Sequence, residues 1–390
     1  MQTVSNKVMI ISGEASGDLH GSNLVREMLR LDPGIRFFGI GGDRMEEAGV
    51  EILIHSSEMA VVGLTEVFSR GRVILRARKL LKAALRDDTP DLVVLIDYPD
   101  FNLYVAKHAK QHGCRVFYYI SPQVWAWRKN RVFSIARLVD RMAVILPFEK
   151  AMYDRAGLDV EFVGHPLLDV VKRKYSRDEA LGRFGLEPRR RTVALVPGSR
   201  PNEVEKLLPE MLRAAERLLV KYPDLQFVLP RASSLERGAV EVFTDQASVD
   251  VSVVDNDTYD VIGAADIAVV TSGTATLETA LLEVPMVIVY RISPLSYLIG
   301  RMLVHVDHIG LANIIAGRGI VPELIQGDAT GERIAREIED LLDNDDRLAR
   351  MKGDLSAVRA RLGEPGAAAR TARLAWELMG TKTRSFSAIR

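Results

Sequence analysis

Through most of the chain, short runs of β-branched and aliphatic residues alternate with longer stretches whose apolar positions recur at helical spacing. That alternation predicts βαβ units around parallel sheets. Val8–Ser12, Leu92–Ile96, Val116–Ile120 and Met142–Leu146 are apolar runs suited to strands covered on both faces, with Phe37–Gly39 a shorter one. Ser22–Leu31 and Leu103–His112 read as helices between them. A second set of strands is expected at Thr192–Val196, Gln226–Leu229, Val251–Val254, Ile267–Val270 and Val287–Tyr290, with helices such as Glu203–Lys221 and Thr276–Leu282. The break between the sets falls at Val163-Gly-His165-Pro166, and the charged segment Lys172–Arg183 after it reads as a linker. From Thr330 the tail is helical, with Ile334, Ile338, Leu341 and Leu342 on one face, and it ends in a frayed basic stretch. The class is α/β, in two Rossmann-like halves.

A length of 390 residues fits that division, because one hydrophobic core rarely organises so long a chain. The 52 basic and 52 acidic residues cancel, which argues against broad electrostatic binding to nucleic acid. One cysteine, Cys114, excludes an internal disulfide and a cysteine-cluster metal site, and fits a reducing compartment, so a cytoplasmic location is expected. The N-terminus has a short apolar run leading into a glycine-rich turn, unlike a signal peptide, and no stretch is long and apolar enough to span a bilayer.

Candidate chemistry sits where strands end. The first strand runs into Gly13-Glu-Ala-Ser-Gly-Asp18, either a place of close ligand approach or a plain tight turn, with Asp18 open to a helix-capping role. Asp97-Tyr-Pro-Asp100-Phe-Asn102 puts two carboxylates and an amide on one loop, where a carboxylate can act as general base or cap the next helix. Ser121-Pro-Gln-Val-Trp125-Ala-Trp127-Arg128 offers two aromatic faces for sugar or acyl chains, or for the core.

In the second half, Gly198-Ser199-Arg200-Pro-Asn-Glu203 joins a strand to a helix, the arrangement of a diphosphate cradle and also of an ordinary loop. Ser272-Gly273-Thr274-Ala275-Thr276-Leu-Glu278 repeats that logic; its small residues leave room for a nucleotide and Glu278 is placed to accept from ribose hydroxyls, while a capping box is the structural alternative. Asn313 and Arg318 lie on a third loop. His165, His305 and His308 lack metal-ligand spacing, so no metal site is expected.

Met59-Ala-Val-Val-Gly-Leu-Thr-Glu-Val-Phe68 precedes Arg70, Arg72, Arg76, Arg78, Lys79 and Lys82, interleaved with Val73, Ile74, Leu75, Leu80 and Leu81. A basic, apolar segment over residues 59–85 suits the interface of an anionic membrane, or a core helix with a solvated basic face.

These motifs together resemble the lipid-A-disaccharide synthases. The resemblance rests on Gly13 to Asp18, Met59-Ala-Val-Val-Gly-Leu, Asp97 to Asn102, Ser121 to Trp127, Leu146-Pro-Phe-Glu-Lys150, Phe162-Val-Gly-His-Pro, Pro197-Gly-Ser-Arg200, Ser272 to Glu278 and Asn313, in order over most of the chain. It implies a GT-B fold, two Rossmann-like domains facing across a cleft, with a C-terminal helix crossing back to the first. Expected bounds are 1–168 for an acceptor-binding domain, 169–345 for a UDP-sugar domain, and 346–390 for helices packing back on the first.

The resemblance implies an inverting glycosyltransferase that joins UDP-2,3-diacylglucosamine to 2,3-diacylglucosamine 1-phosphate through a β-1,6 bond and releases UDP, with no metal or cofactor. It implies Asp97 as catalytic carboxylate, alone or with Asp100 or Glu14. Arg200 with Ser199 and Glu203 would meet the diphosphate, and Ser272, Gly273, Thr274, Ala275, Thr276, Glu278 and Asn313 the nucleotide. Tyr98 departs from the smaller residue usual there, on the acceptor side. A peripheral place on the inner face of the inner membrane follows, and a homodimer is left open. The alternatives are another UDP-GlcNAc-using GT-B enzyme, such as the peptidoglycan glucosaminyltransferase or a UDP-GlcNAc 2-epimerase, and a nucleotide-binding module without catalysis.

Overall fold

The computed structural model describes residues 6–59, 67–127, 131–293, 297 and 307–380. The chain forms two compact units, one running to Pro166 and resuming at Gly363, the other Leu167–Leu362.

The first unit holds β1 (Lys7–Ser12), β2 (Arg36–Gly41), β3 (Val50–His55), β4 (Leu92–Ile96), β5 (Arg115–Tyr119), β6 (Arg141–Val144) and β7 (Asp159–Phe162). They make one parallel sheet in the order β3-β2-β1-β4-β5-β6-β7. Alternation along each strand divides the core. Met9 and Ile11 of β1 pack with Leu81, Leu85 and Val105, whereas Val8 and Ile10 pack with Leu24, Met28 and Ala375. The returning helix Ala367–Gly380 thus covers the same face as the helix Ala15–Leu31.

The second unit holds β8 (Thr192–Val196), β9 (Gln226–Arg231), β10 (Val251–Asp255), β11 (Ile267–Thr271), β12 (Met286–Tyr290) and β13 (Glu323–Ile325), in the order β10-β9-β8-β11-β12-β13. The expected amphipathic helix spans Gly331–Asp343, buries Ile334, Ile338, Leu341 and Leu342, and packs on the helix Pro201–Lys221.

Two expectations shift. Lys172–Arg183 is no linker: Asp260 accepts the Lys174 and Tyr175 N–H groups at 2.7 and 3.0 Å, and Ser176 and Glu179 form a capping box for a helix whose Ala180 and Leu181 are buried. The helix Asp345–Arg361 stays in the second unit, its Met351, Leu355 and Val358 buried there, so the return begins at Gly363 rather than at residue 346. Arg370 then pins the returning segment to the chain before the break, donating to the carbonyls of Val163 (2.9 Å), Glu364 and Pro365.

In an open parallel sheet, ligands bind at the carboxyl ends of strands where the order reverses. That point lies beside β1 and β4 in the first sheet and β8 and β11 in the second. The segments carrying Glu14, Asp97, Arg200 and Ser272 are the ones that leave these four strands.

Candidate functional site

In the first unit, β4 ends in two consecutive non-glycine residues with left-handed backbone, Asp97 and Tyr98, each at φ +45°. Such geometry costs roughly 1–3 kcal/mol per residue and persists only where neighbours over-determine it. The neighbours are identifiable. The Asp97 N–H donates to the Tyr119 carbonyl (3.2 Å), and the Asp97 carbonyl accepts from the Tyr118 hydroxyl (2.5 Å) and the Asn102 amide (2.7 Å). The same amide reaches the Ile96 carbonyl at 3.0 Å, and Pro99 opens the helix Pro99–Gln111.

Gly13 accommodates this turn, since a Cβ there would lie 2.6 Å from the Tyr98 ring. Gly17 is likewise a packing requirement, its Cβ position being 2.3 Å from Ser12 Oγ. Asp18 is buried and accepts the N–H groups of Gly42 (2.7 Å), Met45 (3.1 Å) and Arg44 (3.2 Å), so it caps the helix Asp43–Glu47 rather than its own. Much of the Gly13–Asp18 motif therefore serves local packing and capping.

Burial pushes the Asp97 carboxyl up to about 6; the charge of Glu14 adds to the rise, and the Tyr98 N–H opposes it. Glu14 stands exposed at the start of the helix Ala15–Leu31 and makes no side-chain cap. Asp100 differs from both, being an exposed residue in an ion pair with Arg131. Of the three expected carboxylates, Glu14 acts on Asp97, and Asp100 is engaged elsewhere.

Beside this loop lies a buried group that sequence reasoning left without a role. Glu149 accepts from the Ser121 hydroxyl (2.6 Å) and the Leu146 N–H (3.1 Å), joining two of the quoted motifs. Burial pushes its carboxyl up to about 7 against those hydrogen bonds. The signal was the Leu146-Pro-Phe-Glu149 order, a helix start with an acid at its third position. Trp125 packs edge-on against Phe148 with ring centroids 5.3 Å apart, both half-buried; the Trp127 side chain and Arg128 lie outside the described residues. Burial holds His20 near 4 and His165 near 3, so both are neutral around pH 7.

In the second unit, Gly198 takes φ +115° between β8 and the helix Pro201–Lys221. Glu203 turns back into this loop: its carboxylate accepts the N–H groups of Ser199 (3.0 Å) and Arg200 (3.3 Å) and the Arg200 guanidinium (2.8 Å). Glu203, expected beside a diphosphate, is instead the anion now held by the loop's donors. The loop binds negative charge, and the charge it binds is its own.

At the end of β11, Gly273 begins the helix Thr274–Leu281 at φ +143°, with no side-chain cap. Ser272 donates its hydroxyl to the Ile309 carbonyl (3.2 Å), and Thr276 bonds back to the Gly273 carbonyl (2.8 Å), so the capping-box alternative is not what these residues form. Gly273 and Thr274 are exposed, Ala275 half-buried. Glu278 accepts from the Tyr259 hydroxyl (3.1 Å), and burial raises its carboxyl.

Asn313 differs from its expected role. Its amide donates to Val321 (2.9 Å) and Glu323 (2.7 Å), and its carbonyl accepts from Ile320 (2.7 Å) and Val321 (3.0 Å), which uses its full hydrogen-bonding capacity inside the chain. With Glu323 accepting the Ile309 and Gly310 N–H groups, Asn313 shapes the loop that Ser272 touches. Arg318 pairs with Asp354 at 2.5 Å.

The basic segment forms a helix, Val67–Asp87; residues 60–66 lie outside the described residues. Ala77, Leu81 and Leu85 are buried, and the Arg78 guanidinium sits 4.2 Å from the centroid of the Tyr104 ring. Arg72, Leu75, Arg76, Lys79 and Lys82 are exposed. Among the described residues, no helix is long and apolar enough to cross a membrane, and no group of three or more His, Cys, Asp or Glu is placed to hold a metal ion.

Solved structures with the same fold include MurG of Acinetobacter baumannii, with a TM-score of 0.59, 15% identity and coverage of 95% of this chain and 99% of that one. Another is a UDP-GlcNAc 2-epimerase from Neisseria meningitidis bound to UDP-GlcNAc, with a TM-score of 0.61, 12% identity and coverage of 96% and 100%. At such identities the likeness concerns the GT-B fold alone. Sequence relatives are more specific. A lipid-A-disaccharide synthase of Geobacter sulfurreducens is 53% identical over 97% of this chain and 99% of its own length, and one of Syntrophus aciditrophicus 55% over 96% and 98%. The profile of the lipid-A-disaccharide synthetase family matches residues 8–377, and the chain belongs to that family.

Proposed function

We propose that the chain transfers 2,3-diacylglucosamine from UDP to the 6-hydroxyl of 2,3-diacylglucosamine 1-phosphate, forming a β-1,6 bond with inversion. Asp97 takes the proton of the 6-hydroxyl as that oxygen attacks the donor's anomeric carbon. The bond from that carbon to the UDP oxygen breaks, and UDP leaves with the electron pair. The observation that carries this reading is Asp97 itself, a carboxylate held in a strained turn at the sheet's switch point and raised to about 6 by burial and Glu14. A base of that strength is ionised near neutral pH and still able to accept a proton. Glu14 tunes it, and Asp100 is assigned elsewhere.

The second unit takes UDP. Arg200 leaves Glu203 for the diphosphate, assisted by the backbone of Ser199 and the start of the helix Thr274–Leu281; Ser272, Gly273, Thr274, Ala275 and Thr276 line the nucleotide, and Glu278 meets the ribose. Asn313 positions that pocket. The exposed cations around Leu75 rest on an anionic membrane surface, which brings the enzyme to its acylated substrates.

Incubation with both diacylated substrates, followed by mass spectrometry and NMR of the linkage, tests the reaction. A β-1,6 disaccharide 1-phosphate formed only when both are present is the expected product. Epimerisation of unacylated UDP-GlcNAc without an acceptor would overturn the assignment.

A further inference from the structure

We propose that Arg131 is the receptor for the acceptor's anomeric phosphate, and that Asp100 holds its guanidinium in the phosphate's place until the acceptor arrives. The inference rests on the reaction proposed above. The pair is asymmetric: the Arg131 side chain is 25% exposed and the Asp100 side chain 72%. The cation is mostly covered by the protein and the anion mostly faces solvent. An ion pair in that setting is weak, so a phosphate dianion, which engages a guanidinium through two parallel hydrogen bonds, can replace the carboxylate.

Position supports the exchange. Asp100 follows Asp97 by three residues, in the first turn of the helix Pro99–Gln111. Tyr118, whose hydroxyl holds the Asp97 carbonyl, lies within the electrostatic reach of both Asp97 and Arg131. On the proposed acceptor, C1 with its phosphate and C5 with the reacting hydroxymethyl group flank the ring oxygen, so one rigid ring carries both groups. A base that takes the proton of that hydroxyl gains orientation from a cation that holds the phosphate of the same ring. The ion pair thus also gives Asp100, three residues after the base, a use: its charge keeps the phosphate's place.

The test compares the acceptor with its analogue lacking the anomeric phosphate, for wild type, Arg131→Gln and Arg131→Lys, at saturating UDP-sugar. Wild type is expected to prefer the phosphorylated acceptor in kcat/KM by about 10- to 100-fold, the range of a charge-assisted contact. Arg131→Gln is expected to lose most of that preference by slowing the phosphorylated acceptor, and Arg131→Lys to regain part of it. An unchanged donor KM shows that the variants are folded. Equal slowing of both acceptors by Arg131→Gln, or no preference in wild type, would overturn the proposal. Absence of acceptor-dependent UDP release from wild type with either acceptor would instead overturn the reaction on which it rests.

Discussion

Tyr118 donates its hydroxyl to the carbonyl oxygen of Asp97 at 2.5 Å, so a residue of the central sheet braces the backbone of the candidate base in its left-handed conformation. Tyr118→Phe removes one of the bonds that over-determine the turn while leaving the ring in the core. The expected outcome is a fall in kcat of about tenfold, corresponding to one hydrogen bond, with KM for the UDP-sugar unchanged. A kcat equal to wild type would mean that Asn102 and Tyr119 suffice to hold Asp97.

Protonation of Asp97 sets the acid limb of the rate profile. Its carboxyl lies at about 6, so activity falls as pH drops through that value. Glu14 contributes to the rise, and Glu14→Gln removes that negative charge. The limb is expected to move to lower pH in the variant; an unmoved or upward-shifted limb counts against Glu14 as the tuning group.

Glu203 occupies the donors of the Gly198–Arg200 loop, so it competes with any diphosphate for the Ser199 and Arg200 N–H groups. Calorimetric titration of UDP is expected to show tighter binding to Glu203→Gln, and binding weakened by about 10- to 100-fold in Arg200→Ala. Weaker binding to Glu203→Gln would mean that the carboxylate organises the loop in its binding form.

Glu149 links stability to pH. Its folded value of about 7 stands above its ordinary value of 4.5, so its contribution is full below 4.5 and is lost as pH rises through 7. Glu149→Gln stays neutral throughout. Relative to wild type, the variant is expected to gain up to about 3 kcal/mol between pH 4.5 and 8, readable from paired urea titrations. A stability difference independent of pH would mean that folding does not raise the Glu149 carboxyl.

The strand pattern was legible where strands are covered on both faces. β1, β4, β5, β8 and β11 are continuous apolar runs because helices pack on each side of them. β3, β7 and β13 went unread for the complementary reason. All three are edge strands with half-exposed residues, and Asp159–Phe162 or Glu323–Ile325 offers no run to see. The site followed the same division. Glycines, hydroxyls and acids at strand ends marked the loops that leave β1, β4, β8 and β11, the strands beside the reversals in sheet order where parallel sheets bind ligands. Which of those side chains are consumed by the protein itself was not legible, because it depends on partners distant in sequence: Asp18 on Gly42, Asn313 on Glu323, Asp100 on Arg131.

The most direct measurement is UDP release from UDP-2,3-diacylglucosamine with and without the acylated glucosamine 1-phosphate, in excess chelator, for wild type and Asp97→Asn. Acceptor-dependent release in wild type that survives chelation, and a loss of at least about 100-fold in kcat for Asp97→Asn with UDP still bound, is the expected result. Release by Asp97→Asn at the wild-type rate would contradict the assignment of Asp97 as the base.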